Sequence, residues 1–570
     1  MVIGSGGSGD GGCFDEVGFE RQVGGSEAVA STAGRPDRRF RRSGRRLTVR
    51  YGGPQSDDRA GCGIVTEILR GGALGTQIAQ EDVTWLLMDR PDNLMQVNGL
   101  MGFDELPDFS TFAELVMERM VDKYRVLSQV AVERDGTWMW EDDADFDLDR
   151  HVRRVILDDG GVDAVRSYVS GQFSVPFDRS RPLWELQVVS GPEGDDAGGY
   201  VYSRFHHGLG DGIRLVQMLI GTCDPADGAT PKAVGRNADG EHHHPLERML
   251  HVVEQSVADT LDYVGHASRA AASAGRTLMS TTNPMGLSHH VGDALELARH
   301  PVKLIDALTG IASVDNELSN SWREIGRMLL SDGHDAQAWS GHAGVDKSVA
   351  WVEGFPLDGI RAAAKARDAT INDVLIAAVS LALTDYLEEH GVTEVSDLSW
   401  MMPVSLQPID GALPDRLGNH FAIVMLSIPL GIRDLGALVD ELHERTTRLK
   451  HSAEPVVAFG VQRVVAESPQ AVARRLTEYF AGKTVGQLSN VPGPRVGLTM
   501  AGAPVRSILG WVPTSGDQPL GICLFSYNGT VNVGVATDSR MIPDPLHLAE
   551  LVEQHLTALA QTADEGFRTS

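Results

Sequence analysis

Residues 205–212 read FHHGLGDG: two adjacent histidines, His206 and His207, then Asp211 set between glycines at 208, 210 and 212. Three chemistries are open to such a cluster. Metal binding is disfavoured, because neighbouring side chains on a strand end point to opposite faces and cannot readily share one ion. No HExxH helix accompanies the pair, and His242, His243 and His244 sit in a polar loop. A structural reading has Asp211 capping a helix that opens at Gly212, with the glycines serving a tight strand-to-helix turn. A proton-transfer reading uses one imidazole, which titrates near neutral pH, to take a proton from a hydroxyl and return it to a leaving group. Opposite orientations then let one ring face a substrate while the other packs, and Asp211 holds the loop or pairs with an arginine. The structural and proton-transfer readings both stand. No GxSxG precedes a helix and no cysteine accompanies a base, so direct transfer between two bound substrates fits better than a covalent enzyme intermediate.

The surrounding sequence supplies the elements that would position this turn. PLWELQVVSG (182–191) and GGYVYSRFHH (198–207) read as two strands, and GIRLVQMLIG (212–221) switches to helical spacing. In the second strand Val201, Ser203 and Phe205 share one face, and Tyr202, Arg204 and His206 the other. Regular structure is expected to begin near EDVTWLLMD (81–89), and TFAELVMERMVDKYRVLSQ (111–129) has helical periodicity. The second half repeats this grammar, with strands at 348–355, 399–406 and 421–430 and a helix in PLDGIRAAAKARD. DATINDVLIAAVSLALTDYLEEHG (368–391) predicts a long helix, with Thr370 and Asp373 in capping-box spacing and Gly391 past its end. LGICLFSYNGTVNVGVATD (520–538) predicts a hairpin turning at Asn528-Gly529.

The 570 residues are too many for one core, so at least two domains are expected. A formal net charge of -28 argues against a nucleic-acid partner. Cys13, Cys62, Cys223 and Cys523 are far apart, which indicates neither a disulfide framework nor a zinc site. No apolar run is long enough to span a bilayer and no signal peptide is evident, so a cytoplasmic location is expected, with peripheral contact to a membrane or lipid-droplet surface left open. Residues 1–75, with a Gly/Ser-rich start and the arginine cluster RPDRRFRRSGRRLTVR, are expected to be disordered; the arginines could meet anionic headgroups. Residues 226–345 read as a helical connector between an N-terminal domain (76–225) and a C-terminal domain (346–565).

HHGLGDG resembles the HHxxxDG signature of the coenzyme A-dependent acyltransferase superfamily. Its neighbours narrow the resemblance to the bacterial wax ester synthase/diacylglycerol acyltransferase family: PLWE (182–185), ATINDVLIAA (369–378), MPVSL (402–406), LGNHFA (417–422), QLSNVPGP (487–494) and SYNGTVNVGVATD (526–538) recur in that family's order. TWLLMDRPDNLMQVNGL (84–100) and FDLDRHVRRVIL (146–157) look like its opening segments, so the likeness covers roughly residues 78 to 565. It implies an α/β fold of two chloramphenicol-acetyltransferase-like domains with mixed sheets, joined by the connector, with an active-site tunnel at their interface. His207 is implied as general base, His206 as its supporting neighbour, and Asp211 and Gly212 as structural. Asn372 is implied near the reacting carbonyl as an oxyanion donor, with helix first-turn packing as the companion reading. Pro182, Leu183 and Trp184 are implied to shape a substrate channel, against an equal reading as a buried strand. Asp373 of the same Asn-Asp pair is carried over to the substrate site, and Asn490 is implied to order a loop between the halves. The sequence departs from the family's pattern at His420, in the approach AWSGHAGVDKSVAW (338–351) and in the long connector.

The expected function is transfer of a long-chain acyl group from acyl-CoA to a diacylglycerol or a long-chain alcohol in one ternary complex. Acyl-CoA is a substrate, and no cofactor or metal is expected. Two alternatives are a same-superfamily acyltransferase acting on a secondary-metabolite or glycolipid hydroxyl, and a catalytically silent acyl-CoA- or lipid-binding protein.

Overall fold

A computed structural model describes residues 75–226 and 339–568, apart from 193, 195–197, 340, 393, 406–412, 415 and most of 451–469. The expected disordered tail and most of the helical connector lie outside the described residues.

The first half holds strands β1 (Thr76–Gln77), β2 (Gln96–Phe103), β3 (Gln129–Arg134), β4 (Thr137–Asp142), β5 (Val152–Ile156), β6 (Trp184–Ser190), β7 (Gly199–His206) and β8 (Asp224–Pro225). Its helices are α1 (Gln80–Met88), α2 (Phe109–Val116), α3 (Val162–Gln172) and α4 (Gly212–Ile220). The second half holds β9 (Lys347–Pro356), β10 (Leu398–Ser405), β11 (Phe421–Ile428), β12 (Gly486–Pro492), β13 (Leu498–Met500), β14 (Ala503–Trp511), β15 (Leu520–Tyr527) and β16 (Thr530–Asp538). Its helices are α5 (Leu357–Ala366), α6 (Ile371–Glu389), α7 (Leu435–Lys450), α8 (Gln470–Ala481) and α9 (Pro545–Arg568).

Two mixed sheets organise these elements. One runs β5-β6-β7-β2-β14-β13-β8 and the other β11-β10-β12-β15-β16-β9, with a small β1-β4-β3 sheet beside them. The first sheet is not made by the first half alone. β14 pairs antiparallel with β2 through residues such as Gly510 opposite Gly99, so the second half of the chain lends two strands to the first sheet. This exchange ties the halves through their backbones. Behind β14, Trp351 and Trp511 meet edge to face at 5.7 Å, and Tyr200 packs on Trp351 at 6.1 Å. The Glu353 carboxylate crosses the same junction, accepting from Trp351 Nε1 (2.7 Å), Tyr200 Oη (3.1 Å) and Ser507 Oγ (2.6 Å).

Helix α6 forms where its signals place it. The Thr370 side chain accepts from the Asp373 N–H, Asp373 reaches back to the Thr370 N–H, and Gly391 takes φ +81° just past the end. It is apolar around most of its circumference because it is the central core helix of the second half, packed by α5, α7 and α9. Among the described residues no single helix is long and apolar enough to cross a membrane. The hairpin β15–β16 turns at Asn528 (φ +44°) and Gly529 (φ +82°), the left-handed pair that a two-residue turn requires.

One expectation needs correction. The helical pattern over 111–129 is not one helix. Asp108 caps α2, which runs only to Val116; a widened turn covers Met117–Val121 and a tight one Arg125–Ser128. The breaks let both Tyr124 and Leu127 enter the core of the first half.

Candidate active site

The expected strand-to-helix turn is present. β7 ends at His206, a single tight turn spans His207–Leu209, and α4 opens at Gly212. The two imidazoles have different surroundings, as alternation on the strand requires. His206 is wholly buried. Its Nδ1 accepts the Gly208 N–H (3.0 Å), which places its proton on Nε2, 3.7 Å from Asp89 Oδ2. Burial would lift the Asp89 carboxyl, yet the nearby His206 imidazole and hydrogen bonds from the Met95 N–H and Arg179 hold it below the usual carboxylate range. Gly208 packs closely: a Cβ there would stand 3.0 Å from the Leu86 side chain and 3.1 Å from His206 Nδ1.

His207 is 6% exposed. Its ring lies flat on Trp85 of α1, with centroids 3.9 Å apart and planes 17° apart, and Phe421 stands on another side at 5.6 Å. Burial pushes the imidazole down to about 4, against the opposing pull of its own main-chain carbonyl. It is therefore neutral, the form a base needs, throughout the physiological range. Among the described residues its Nδ1 has no hydrogen-bond partner. The main chain is fixed on both sides: the His207 N–H donates to Met95 O (2.8 Å), and its carbonyl accepts from Asn419 Nδ2 (2.9 Å).

Asn419 belongs to LGNH, a segment of the second half that clasps the turn. Gly418 forms a parallel bridge with Gly210, and its carbonyl accepts the Asp211 N–H (3.1 Å). Asp211 uses both oxygens structurally. Oδ1 caps α4 by accepting the Arg214 N–H (2.9 Å), and Oδ2 accepts the His420 N–H (3.1 Å) from across the junction. Arg214 Nη1 donates to the Leu417 carbonyl. Asp82 of α1 completes the clasp, accepting through Oδ1 from both Asn419 N (3.0 Å) and Asn419 Nδ2 (2.9 Å). Burial lifts Asp82 to about 6, only partly offset by these donors and Arg416. The His420 side chain is exposed, which is how the fold accommodates bulk beside the asparagine.

His207 opens on a cavity between the two sheets. The first sheet contributes Val97, Gly99 and Met101 of β2, Ser203 and Phe205 of β7, and Ile508 and Gly510 of β14. The second contributes Pro403, Ser489, Val491, Cys523 and Phe525, and α4 closes a side with Ile213, Val216 and Leu219. Gly510, Gly99 and Ser203 stand in register across three strands, so the floor there is nearly free of side chains. The lining is chiefly apolar, with His207 among a few polar groups, as suits a site for hydrocarbon chains. Burial keeps the Cys523 thiol protonated, pushed up to about 12.

Of the residues singled out in the sequence, the structure brings His207, Asp211 and Gly212 to this cavity, with His206 directly behind. It does not bring Asn372 there. Asn372 Oδ1 accepts from Asn490 Nδ2 (2.7 Å), and neither residue lines the cavity, although Ser489 and Val491 on either side of Asn490 do. Alternation on β12 sends Asn490 to the other face. Asp373 is also absent from the lining; wholly buried, it accepts from Thr446 Oγ1 (2.6 Å) and pairs with His443 Nδ1 (2.8 Å) while capping α6. Pro182, Leu183 and Trp184 are a buried strand start away from the cavity: Trp184 Nε1 donates to Leu127 O (2.8 Å), and its ring stacks on His151 at 4.8 Å. Trp85, Asp82 and Asn419 were not singled out. They fall within EDVTWLLMD (81–89) and LGNHFA (417–422), and their roles arise from contacts between distant parts of the chain.

Among the described residues no group of three or more His, Cys, Asp or Glu side chains is arranged to hold a metal ion. Residues 78–375 match the wax ester synthase/diacylglycerol acyltransferase catalytic domain, and residues 417–560 match the C-terminal domain of the same group. A Mycobacterium tuberculosis protein provisionally named diacylglycerol O-acyltransferase is 25% identical over 529 residues, covering 89% of this chain and 94% of its own. The O-acyltransferase WSD of Acinetobacter baylyi is 21% identical over 491 residues, 83% of this chain and 95% of its own. The wax ester synthase/diacylglycerol acyltransferase from Marinobacter aquaeolei VT8 shares the fold, with a TM-score of 0.57 at 21% identity over 86% of this chain and 100% of that one.

Proposed function

The chain belongs to the wax ester synthase/diacylglycerol acyltransferase family, and we propose that it moves a long-chain acyl group from acyl-CoA to the hydroxyl of a diacylglycerol or a long-chain alcohol. The observation that carries this reading is His207: a buried, neutral imidazole on the wall of an apolar cavity between two sheets. In the proposed reaction both substrates are bound at once. His207 takes the proton of the acceptor hydroxyl as its oxygen attacks the thioester carbonyl. The tetrahedral intermediate collapses with cleavage of the C–S bond, and His207 returns the proton to the departing CoA thiolate. The apolar walls exclude water, which would otherwise compete as acceptor and hydrolyse the thioester. Asn419 holds the main-chain carbonyl of the base, Asp82 holds Asn419, and Asp211 holds the turn that follows, so their part is orientation. The family's description names both wax ester synthase and diacylglycerol acyltransferase, and the Mycobacterium tuberculosis relative's name specifies diacylglycerol.

The test is release of CoA from palmitoyl-CoA by the full chain with diacylglycerol, with hexadecanol and with no acceptor. Acceptor-dependent release, with ester formed in equal amount, is expected for at least one alcohol. Release that is the same without acceptor makes the protein a thioesterase, and binding of palmitoyl-CoA with no release makes it a carrier.

A further inference from the structure

The face of Trp85 lies on the imidazole of His207 at stacking distance, and nothing in the transfer step described above uses it. From this geometry we infer that Trp85 is a positioning residue for the reaction: its indole holds the His207 ring in one orientation and stabilises the positive charge that ring carries while it keeps the acceptor's proton. The inference rests on His207 being the base.

The physical need follows from the site. His207 becomes an imidazolium between attack on the carbonyl and protonation of the thiolate, and it does so out of water. Several ionisable groups surround the turn, and most are committed elsewhere. On α1, Asp82 is engaged by Asn419, and Asp89 at the end of the helix by His206, Met95 N and Arg179; Glu81 lies in the first turn. On the turn and α4, Asp211 accepts from main-chain N–H groups at 214 and 420, Arg214 holds the Leu417 carbonyl, and the charge of a protonated His206 opposes that of His207. On the clasp, Arg416 and His420 are further potential cations. A flat aromatic face is the remaining group against the ring. Its negative quadrupole attracts a cation more strongly than a neutral ring, and more so where water is excluded. Phe421, tilted by 43°, lies farther off and cannot replace this contact.

Trp85 is half-buried, and circular dichroism checks that each apolar replacement is folded before its kinetics are compared. Trp85→Phe retains a smaller aromatic face; Trp85→Met and Trp85→Leu retain apolar cover without one. Two readouts are made on the full chain: kcat and KM for CoA release at pH 7.5, and titration of the His207 ring by NMR of histidine-labelled protein, with His207→Gln assigning the signal. For Met and Leu we expect kcat to fall about tenfold with KM nearly unchanged, and the His207 titration to move about one unit lower, while Phe recovers most of both. Loss of cover alone would let water in and move the titration upward. An unmoved or raised titration in Met and Leu overturns the inference, as does Phe performing no better than Met. If the wild-type chain releases no CoA with any acceptor, the transferase reading fails, yet the NMR titration still decides whether Trp85 stabilises the charged ring.

Discussion

His206 and His207 are adjacent in sequence and opposite in circumstance. His206 is tied through Nδ1 to its own turn and through Nε2 toward Asp89, while His207 meets aromatic faces and a cavity. That division was legible, because alternation along a strand sends neighbours to opposite sides whatever the fold. The environment of His207 was not legible, because Trp85 lies 122 positions upstream and Phe421 in the other half of the chain. The depressed titration of His207 has a consequence for stability. Its folded value, about 4, is below the unfolded 6.5, so keeping it neutral contributes stability that is present above pH 6.5 and lost as pH falls toward 4. The loss should amount to about 3 kcal/mol when complete. His207→Gln removes this contribution. Denaturant unfolding at pH 7.5 and pH 5 should show a smaller acid loss for the variant than for wild type, and identical losses would show that the ring is not buried as described.

Local rules govern much of the secondary structure. The capping box at Thr370 and Asp373, the left-handed pair at Asn528 and Gly529, and the strand-turn-helix around 205–220 all follow from short-range chemistry. The pattern at 111–129 misled because apolar spacing alone does not reveal where a helix must unwind to seat Tyr124 and Leu127. Asn372 lies at the start of its helix as expected, but the bond from Asn490 Nδ2 to its Oδ1 and its place outside the cavity lining could not be read from local pattern. In turn, the clasp between α1, the histidine turn and LGNH could be seen only in three dimensions. Asn419 donates to Asp82 twice and to His207 O once. Asn419→Ala leaves the main-chain bond to Asp82 and removes the side-chain donor from a buried carboxylate. Destabilisation of about 2–4 kcal/mol in denaturant melts is expected, with loss of turnover beyond the loss of folded protein. A change under 0.5 kcal/mol would mean that the clasp is not sealed from water.

Across the fold, two α/β halves follow from the pattern of elements and the mixed sheets facing a shared cavity from the family resemblance, whereas the lending of β13 and β14 to the first sheet follows from neither. Strand order is set by long-range pairing, and nothing in residues 498–511 announces which neighbour they will take. The exchange matters for the chemistry, since Ile508 and Gly510 on β14 form part of the cavity floor beside β2. The base comes from one half of the chain, and the clasp and the opposite wall from the other. Turnover of His207→Ala against wild type, at pH 7.5 with an acceptor the wild-type chain uses, tests this account most directly. With circular dichroism and palmitoyl-CoA binding unchanged, CoA release should fall by about a thousandfold. Release within tenfold of wild type would contradict it, and would require another group to carry the acceptor's proton.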